Sequence, residues 1–120
     1  MSGDYRVKRA YDAPSKADGK RVLVDRLWPR GVNKEAAELD AWAKDATPSN
    51  DLRKWLHAHP DEYPEFVARY DLELEGAAQQ AALTDVRQMH AEHTVTLITA
   101  AKDVEHSHVP VLLKHLKEGS

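Results

Sequence analysis

Two apolar runs set the limits on what this chain can fold into. Val22, Leu23 and Val24 are contiguous, and "TVTLITAA" over Thr94–Ala101 is both apolar and rich in β-branched residues. Unbroken apolarity, in place of alternation, marks strands covered on both faces. The sequence between the runs has helical spacing. The two strands are therefore predicted to be joined by a crossover connection and to lie parallel. The predicted fold class is α/β: a small sheet with at least one parallel strand pair, covered by about five helices, in a single domain over residues 1–120.

The remaining elements fit around this pair. "YRVKRAY" (Tyr5–Tyr11) alternates and suits a short, partly exposed strand, and "DAPSKADGK" after it is a loop. The strand that starts at Val22 is predicted to run to Leu27 and to end at Trp28, because Pro29 lacks a ladder N–H and Gly31 allows a sharp turn. Four helical patterns follow. Asn33 caps a helix over Lys34–Lys44 with Leu39, Trp42 and Ala43 inward, and Ser49 caps another with Leu52, Trp55 and Leu56 inward. Tyr63, Phe66, Val67, Tyr70 and Leu74 form a third stripe, and Ala82, Val86 and Met89 a fourth after Gly76. "VPVLLKHL" is a final helix, with Ser107 as its N-cap and Pro110 in its first turn.

Composition removes several classes. With 120 residues there is enough chain for one core. No cysteine is present, which excludes disulfides, thiolate zinc sites and a cysteine nucleophile. No stretch approaches the roughly 18 apolar residues of a membrane span, and no signal-peptide pattern is seen, so a cytoplasmic protein without a membrane partner is expected. The net charge of -3 conceals an asymmetry: residues 1–34 carry nine Lys/Arg against four Asp/Glu, and the rest eight against sixteen. The basic third suits an anionic partner, whereas the acidic whole gives no sign of a nucleic-acid binder. Nucleotide-binding glycine loops, metalloprotease and nucleophile-elbow motifs are absent, and no cofactor is predicted.

Chemistry is predicted where the two parallel strands end. Their carboxyl ends share one edge of the sheet, the edge at which open α/β sheets bind ligands. Asp25, Arg26, Trp28 and Arg30 leave the first strand, and Lys102, Asp103, Glu105, His106 and His108 leave the second. Arginine forks suit carboxylate or phosphate oxygens, so Arg26, Arg30 and Lys102 are the candidate anion-binding cations. His108, at the start of the last helix, is the candidate general base, with Asp103 or Asp25 to orient it. His106 and His108 in "HSH" also form a short metal-ligand pattern that lacks an obvious third ligand. Trp28 serves either as a packing residue over the sheet end or as a stacking platform, and the stripe from Trp42 to Tyr70 reads as core.

The segments "GKRVLVDRLWPRGVNKEAAELDAWAKDATPSNDLRKW", "FVARYDLEL" and "VTLITAAKDVEHSHVPVLLKHL" resemble the YeaO-like proteins of the domain of unknown function 488 family. The resemblance spans about Val7 to Leu116, and its D-R-L-W-P-R-G block, Asp25–Gly31, is highly specific. It also takes in Leu52, Arg53, Phe66, Tyr70, Lys102 and His108, and it alone brings Arg53 into the candidate substrate-binding set. Thr99 and Ser107 stand where relatives often have tyrosine and asparagine. The resemblance implies a fold and no reaction. Three readings therefore stand: an enzyme acting on a phosphate- or carboxylate-bearing, nucleotide-like small molecule; a non-catalytic ligand-sensing or interaction module; and a metal-binding protein using His106 and His108.

Overall fold

A computed structural model of the protein describes residues 5–118. Four strands, β1 (Tyr5–Arg9), β2 (Lys20–Leu23), β3 (Ala41–Trp42) and β4 (Val95–Thr99), form one sheet in the order β1-β4-β2-β3. Every pairing is parallel, with Val22 opposite Leu97 and Val7 opposite that same residue on the other side. The helices are α1 (Lys34–Ala37), α2 (Asn50–Ala58), α3 (Tyr63–Glu73), α4 (Ala77–Glu92) and α5 (Val109–Glu118). All five residues of β4 are buried, Thr96 and Thr99 included, as its place at the centre of a sheet covered on both faces requires. Val22, Val24 and Leu97 meet Phe66, Tyr70, Leu74, Leu83, Leu112 and Leu116 in one core cluster. Each such aliphatic or aromatic side chain contributes about 1.5–3 kcal/mol by leaving water.

Two local expectations are corrected. β2 stops at Leu23, well short of Leu27. One further ladder bond, Val24 N–H to the Ile98 carbonyl, closes the pairing; the Val24 carbonyl is then claimed by the His108 ring and the Asp25 carboxylate by Ala100 N–H. Polar side chains thus end the strand before Pro29 is reached.

The predicted helix Lys34–Lys44 is also cut short. Asn33 does cap it, accepting from Glu35 and Ala36 N–H, but it ends at Ala37, and Glu38 follows in the left-handed conformation. Asp40 then accepts Arg21 N–H on its carboxylate while its own N–H reaches the Arg21 carbonyl, which docks Ala41–Trp42 on the free edge of β2. Strand pairing outweighs helical propensity here, and Trp42 lies 39% exposed instead of in the core.

At the opposite end of the sheet, Gly19 has φ 64°, and a Cβ there would meet the Thr94 carbonyl oxygen at 2.2 Å. Glycine is required so that the loop can pass over β4. Ser49 caps α2 as expected, its hydroxyl accepting Leu52 N–H. Ser107 lies one residue before the cap position of α5: the His108 carbonyl accepts the first helical bond, from Leu112 N–H, and the Ser107 hydroxyl accepts Val109 N–H.

Candidate functional site

The parallel strands β2 and β4 point their carboxyl ends at one cavity of about 800 Å³. It is lined by the loop after β2, Pro48 before α2, one side of α2 from Arg53 to His57, Pro60, Phe66 of α3, and the loop from β4 to α5. Asp25, Arg26, Trp28, Arg30, Arg53, Lys102, Asp103, His106 and His108 all lie on its wall. Residues far apart in sequence are therefore brought to a single crevice.

Asp25 ties the two loops together. Its Oδ1 accepts the Thr99 hydroxyl at 2.7 Å and lies 3.2 Å from His108 Nε2, and its Oδ2 accepts Ala100 N–H at 2.7 Å. Burial pushes the Asp25 carboxyl upward, but the bonds from His108, Ala100 and Thr99 outweigh it and hold its pKa below the ordinary carboxylate value. His108 Nε2 is also 2.6 Å from the Val24 carbonyl. A carbonyl only accepts, so this network assigns a proton to Nε2 and leaves Nδ1 outside it. Thr99 consequently does part of the work open to a larger hydroxyl side chain: it donates to Asp25 from a fully buried position.

The carboxylate beside His108 is thus Asp25. Asp103 turns away to His106, its Oδ2 2.8 Å from Nδ1 and its other oxygen accepting His106 N–H. Among the described residues, no group of three or more His, Asp or Glu side chains is placed to hold a metal ion.

The cations differ in how they are held. Arg26 donates from Nε to the Pro48 carbonyl at 2.8 Å and from Nη2 toward the Thr47 carbonyl at 3.5 Å, so the adjacent Asp25 is not its partner. Tyr70, buried in α3, holds the same turn by donating to the Ala46 carbonyl, and burial drives its phenol pKa far up. Arg53 reaches Asn50 Oδ1 only at 3.5 Å, and its Nε is buried without a partner. The Arg30 guanidinium and the Lys102 ammonium make no hydrogen bond or ion pair among the described residues, and both residues are exposed. None of these four cations has a carboxylate partner among the described residues.

Trp28 is fixed as a wall. Its Nε1 donates to the Val32 carbonyl at 2.7 Å, and its ring meets Trp42 edge-on at 5.7 Å. Sequence reasoning missed the apolar part of the lining, Pro48, Leu56, Pro60 and Phe66, and the neighbouring His57. Helical spacing marks Leu56 and Phe66 as inward-facing, but it does not say which inward residues border a cavity.

Arginines used in these two ways should respond differently to removal. Arg30→Ala is expected to keep or raise the melting temperature, since a cation near other cations is lost with no bond broken. Arg26→Ala should lower stability by about 1–2 kcal/mol, because two turn carbonyls lose their donor. Urea denaturation of both variants decides the matter; an equal or larger loss in Arg30→Ala would make the loop scaffold.

A parallel α/β domain with a polar crevice at its strand carboxyl ends is the class that fold and site define. The sequence model of the family described as "Inactive DUF488-N3 subclade" matches residues 4–119. The uncharacterized protein YeaO of Escherichia coli (strain K12) is 40% identical over 115 residues, covering 95% of this chain and 97% of that protein. The uncharacterized protein Rv3073c of Mycobacterium tuberculosis (strain ATCC 25618 / H37Rv) is 41% identical over 111 residues, 92% of each chain. The chain belongs to the YeaO-like proteins of the DUF488 family. No solved structure matches it. No helix among the described residues is long and apolar enough to cross a membrane.

Proposed function

We propose that the protein binds a small phosphate- or carboxylate-bearing molecule in the crevice at the strand carboxyl ends and releases it unchanged. The observation that carries this reading is the group of four cations, Arg26, Arg30, Arg53 and Lys102, lining one cavity without carboxylate partners among the described residues. Clustered cations raise local potential and favour an anion that neutralises them. Both acids of the wall are engaged elsewhere, Asp25 by three donors and Asp103 by His106.

Two points favour binding over catalysis. The hydroxyls nearest the site are already committed, Ser107 to the Val104 carbonyl and Thr99 to Asp25, which leaves no activated nucleophile among them. The matching family description also carries the word "inactive". A second reading rests on the Asp25–His108 pair, which leaves His108 Nδ1 able to accept a proton.

The test is thermal unfolding against a panel of phosphorylated and carboxylated small molecules, followed by phosphorus NMR of each phosphorylated binder after prolonged incubation. A binder present at about 100 times its Kd should stabilise the fold by about 2.7 kcal/mol, and its phosphorus spectrum should not change. New resonances that vanish in His108→Ala would replace binding with catalysis. A panel without a single shift would remove the anion reading.

A further inference from the structure

We infer that the ligand of this crevice is an organic anion with an apolar, aromatic body, of the aryl phosphate class, and not a simple inorganic ion. The inference rests on the anion-binding reading above and deepens it. A cavity of about 800 Å³ lies within the range that encloses drug-sized molecules, roughly 300–1,000 Å³. A tetrahedral ion in contact with two or three of the cations would leave most of that space to water.

Much of the lining that a phosphate would not reach is apolar. Leu27, Trp28, Pro48, Leu56, Pro60 and Phe66 supply the wall between the charged groups. A site built for phosphate alone needs donors around its whole perimeter, and this one gives much of it to rings and aliphatic carbon. Leu27 is 54% exposed although it sits in the same loop as Arg26 and Arg30. A single exposed leucine is ordinary; one that continues an apolar wall beside unpartnered cations is a surface for a ligand to cover.

The wall is also stiff. Trp28 is held through Nε1 by the Val32 carbonyl and edge-on by Trp42, whose own Nε1 donates to the Asp25 carbonyl at 2.6 Å. A flat, pre-formed surface of this kind favours a flat partner, which loses little freedom on docking. Guanidinium planes such as those of Arg30 and Arg53 stack on aromatic rings as readily as they bind oxyanions, so the same cations can serve both parts of the ligand.

Isothermal titration of the full chain with inorganic phosphate, phenyl phosphate, 1-naphthyl phosphate and uncharged 1-naphthol separates the terms. Affinity should rise from phosphate through phenyl to naphthyl phosphate, by at least about tenfold overall. Arg30→Ala, or Lys102→Ala should the first fold poorly, should weaken all three anions, and Leu27→Asn should narrow the gap between naphthyl phosphate and phosphate. Equal affinities for the three anions would overturn the aromatic-body inference while leaving anion binding intact. No binding of any of the three, or 1-naphthol binding as tightly as its phosphate, would overturn the anion reading and this inference with it.

Discussion

Alanine in place of Asp18 is expected to lower the free energy of unfolding by about 3–5 kcal/mol, the range for stranding one partner of a buried ion pair. Asp18 is 1% exposed, and its Oδ2 accepts from Arg21 Nη1 at 2.6 Å, from Lys8 Nζ at 3.0 Å and from Ser15 N–H at 2.9 Å. Arg21 is itself buried on β2, with Nε bound to the Ala37 carbonyl. Without the carboxylate, the Arg21 charge stays inside with its partner gone. The same residue closes the capping box of the turn that precedes Gly19, and its carbonyl accepts the Thr96 hydroxyl at 2.7 Å. Strands β1, β2 and β4 are all anchored through this one position. Against a total stability of about 5–15 kcal/mol, Asp18→Ala threatens folding outright. Asp18→Asn keeps the shape and hydrogen-bonding oxygen and should lose less. Chemical denaturation of both variants checks the order; a loss below about 1 kcal/mol for Asp18→Ala would mean that solvent reaches Arg21.

The second large effect lies in the site. Asp25→Ala should cost about 3 kcal/mol, because the Thr99 hydroxyl, Ala100 N–H and His108 Nε2–H lose a charged acceptor at once. His108 would keep its bond to the Val24 carbonyl, so the ring is not released entirely. The loop after β4 loses its tie to the loop after β2, and anion affinity should fall even though a negative charge has been removed from the pocket. That sign is the useful part. A purely electrostatic role for Asp25 predicts tighter anion binding on its removal, and a positioning role predicts weaker binding. Calorimetric titration of Asp25→Ala with phosphate reads the sign directly.

Acid should expose both residues. The Asp18 carboxyl is pushed up by burial but pulled down further by its bonds from Lys8, Ser15 and Arg21, so that, like Asp25, its pKa lies below the ordinary value. A depressed carboxyl contributes stability that is complete above its unfolded pKa of about 3.9 and is lost as pH falls through its folded pKa. The melting temperature should therefore fall steeply below about pH 4, and less steeply in Asp18→Asn or Asp25→Asn. Identical acid profiles for the wild type and both variants would assign the acid sensitivity to other groups.

Much of this was legible in the sequence, for stated reasons. The continuous apolarity of Val22–Val24 and the β-branched run Val95–Thr99 pointed to two buried parallel strands, and with them to the shared edge where Arg26, Arg30, Lys102 and His108 line one cavity. The Asn33 and Ser49 caps were readable because capping depends on one or two neighbouring residues, whereas the last helix starts one residue later than a Ser107 cap would set it. What stayed hidden depends on partners distant in sequence. Trp42 lies in a strand because Arg21 and Asp40 exchange backbone and side-chain bonds across 19 positions. Asp25, and not Asp103, faces His108 because β2 ends early, which no local propensity specifies. The buried Asp18–Arg21 pair has no periodic signature, since an isolated arginine in a strand pattern reads as an exposed position. The apolar half of the cavity escaped for a related reason: Leu56 and Phe66 look like core whether or not a void lies beside them.

The proposed anion site lies at the strand carboxyl ends and contains Arg30. It is tested most directly by amide proton–nitrogen correlation spectra of the labelled protein titrated with phosphate at constant ionic strength, so that general screening is not read as binding. The predicted result is saturable shifts confined to amides of residues 25–31, 100–108 and the start of α2, all lost in Arg30→Ala. Shifts that fail to saturate, that centre on Arg6, Lys8 and Lys16 in β1 and the turn before Gly19, or that persist unchanged in Arg30→Ala would contradict it.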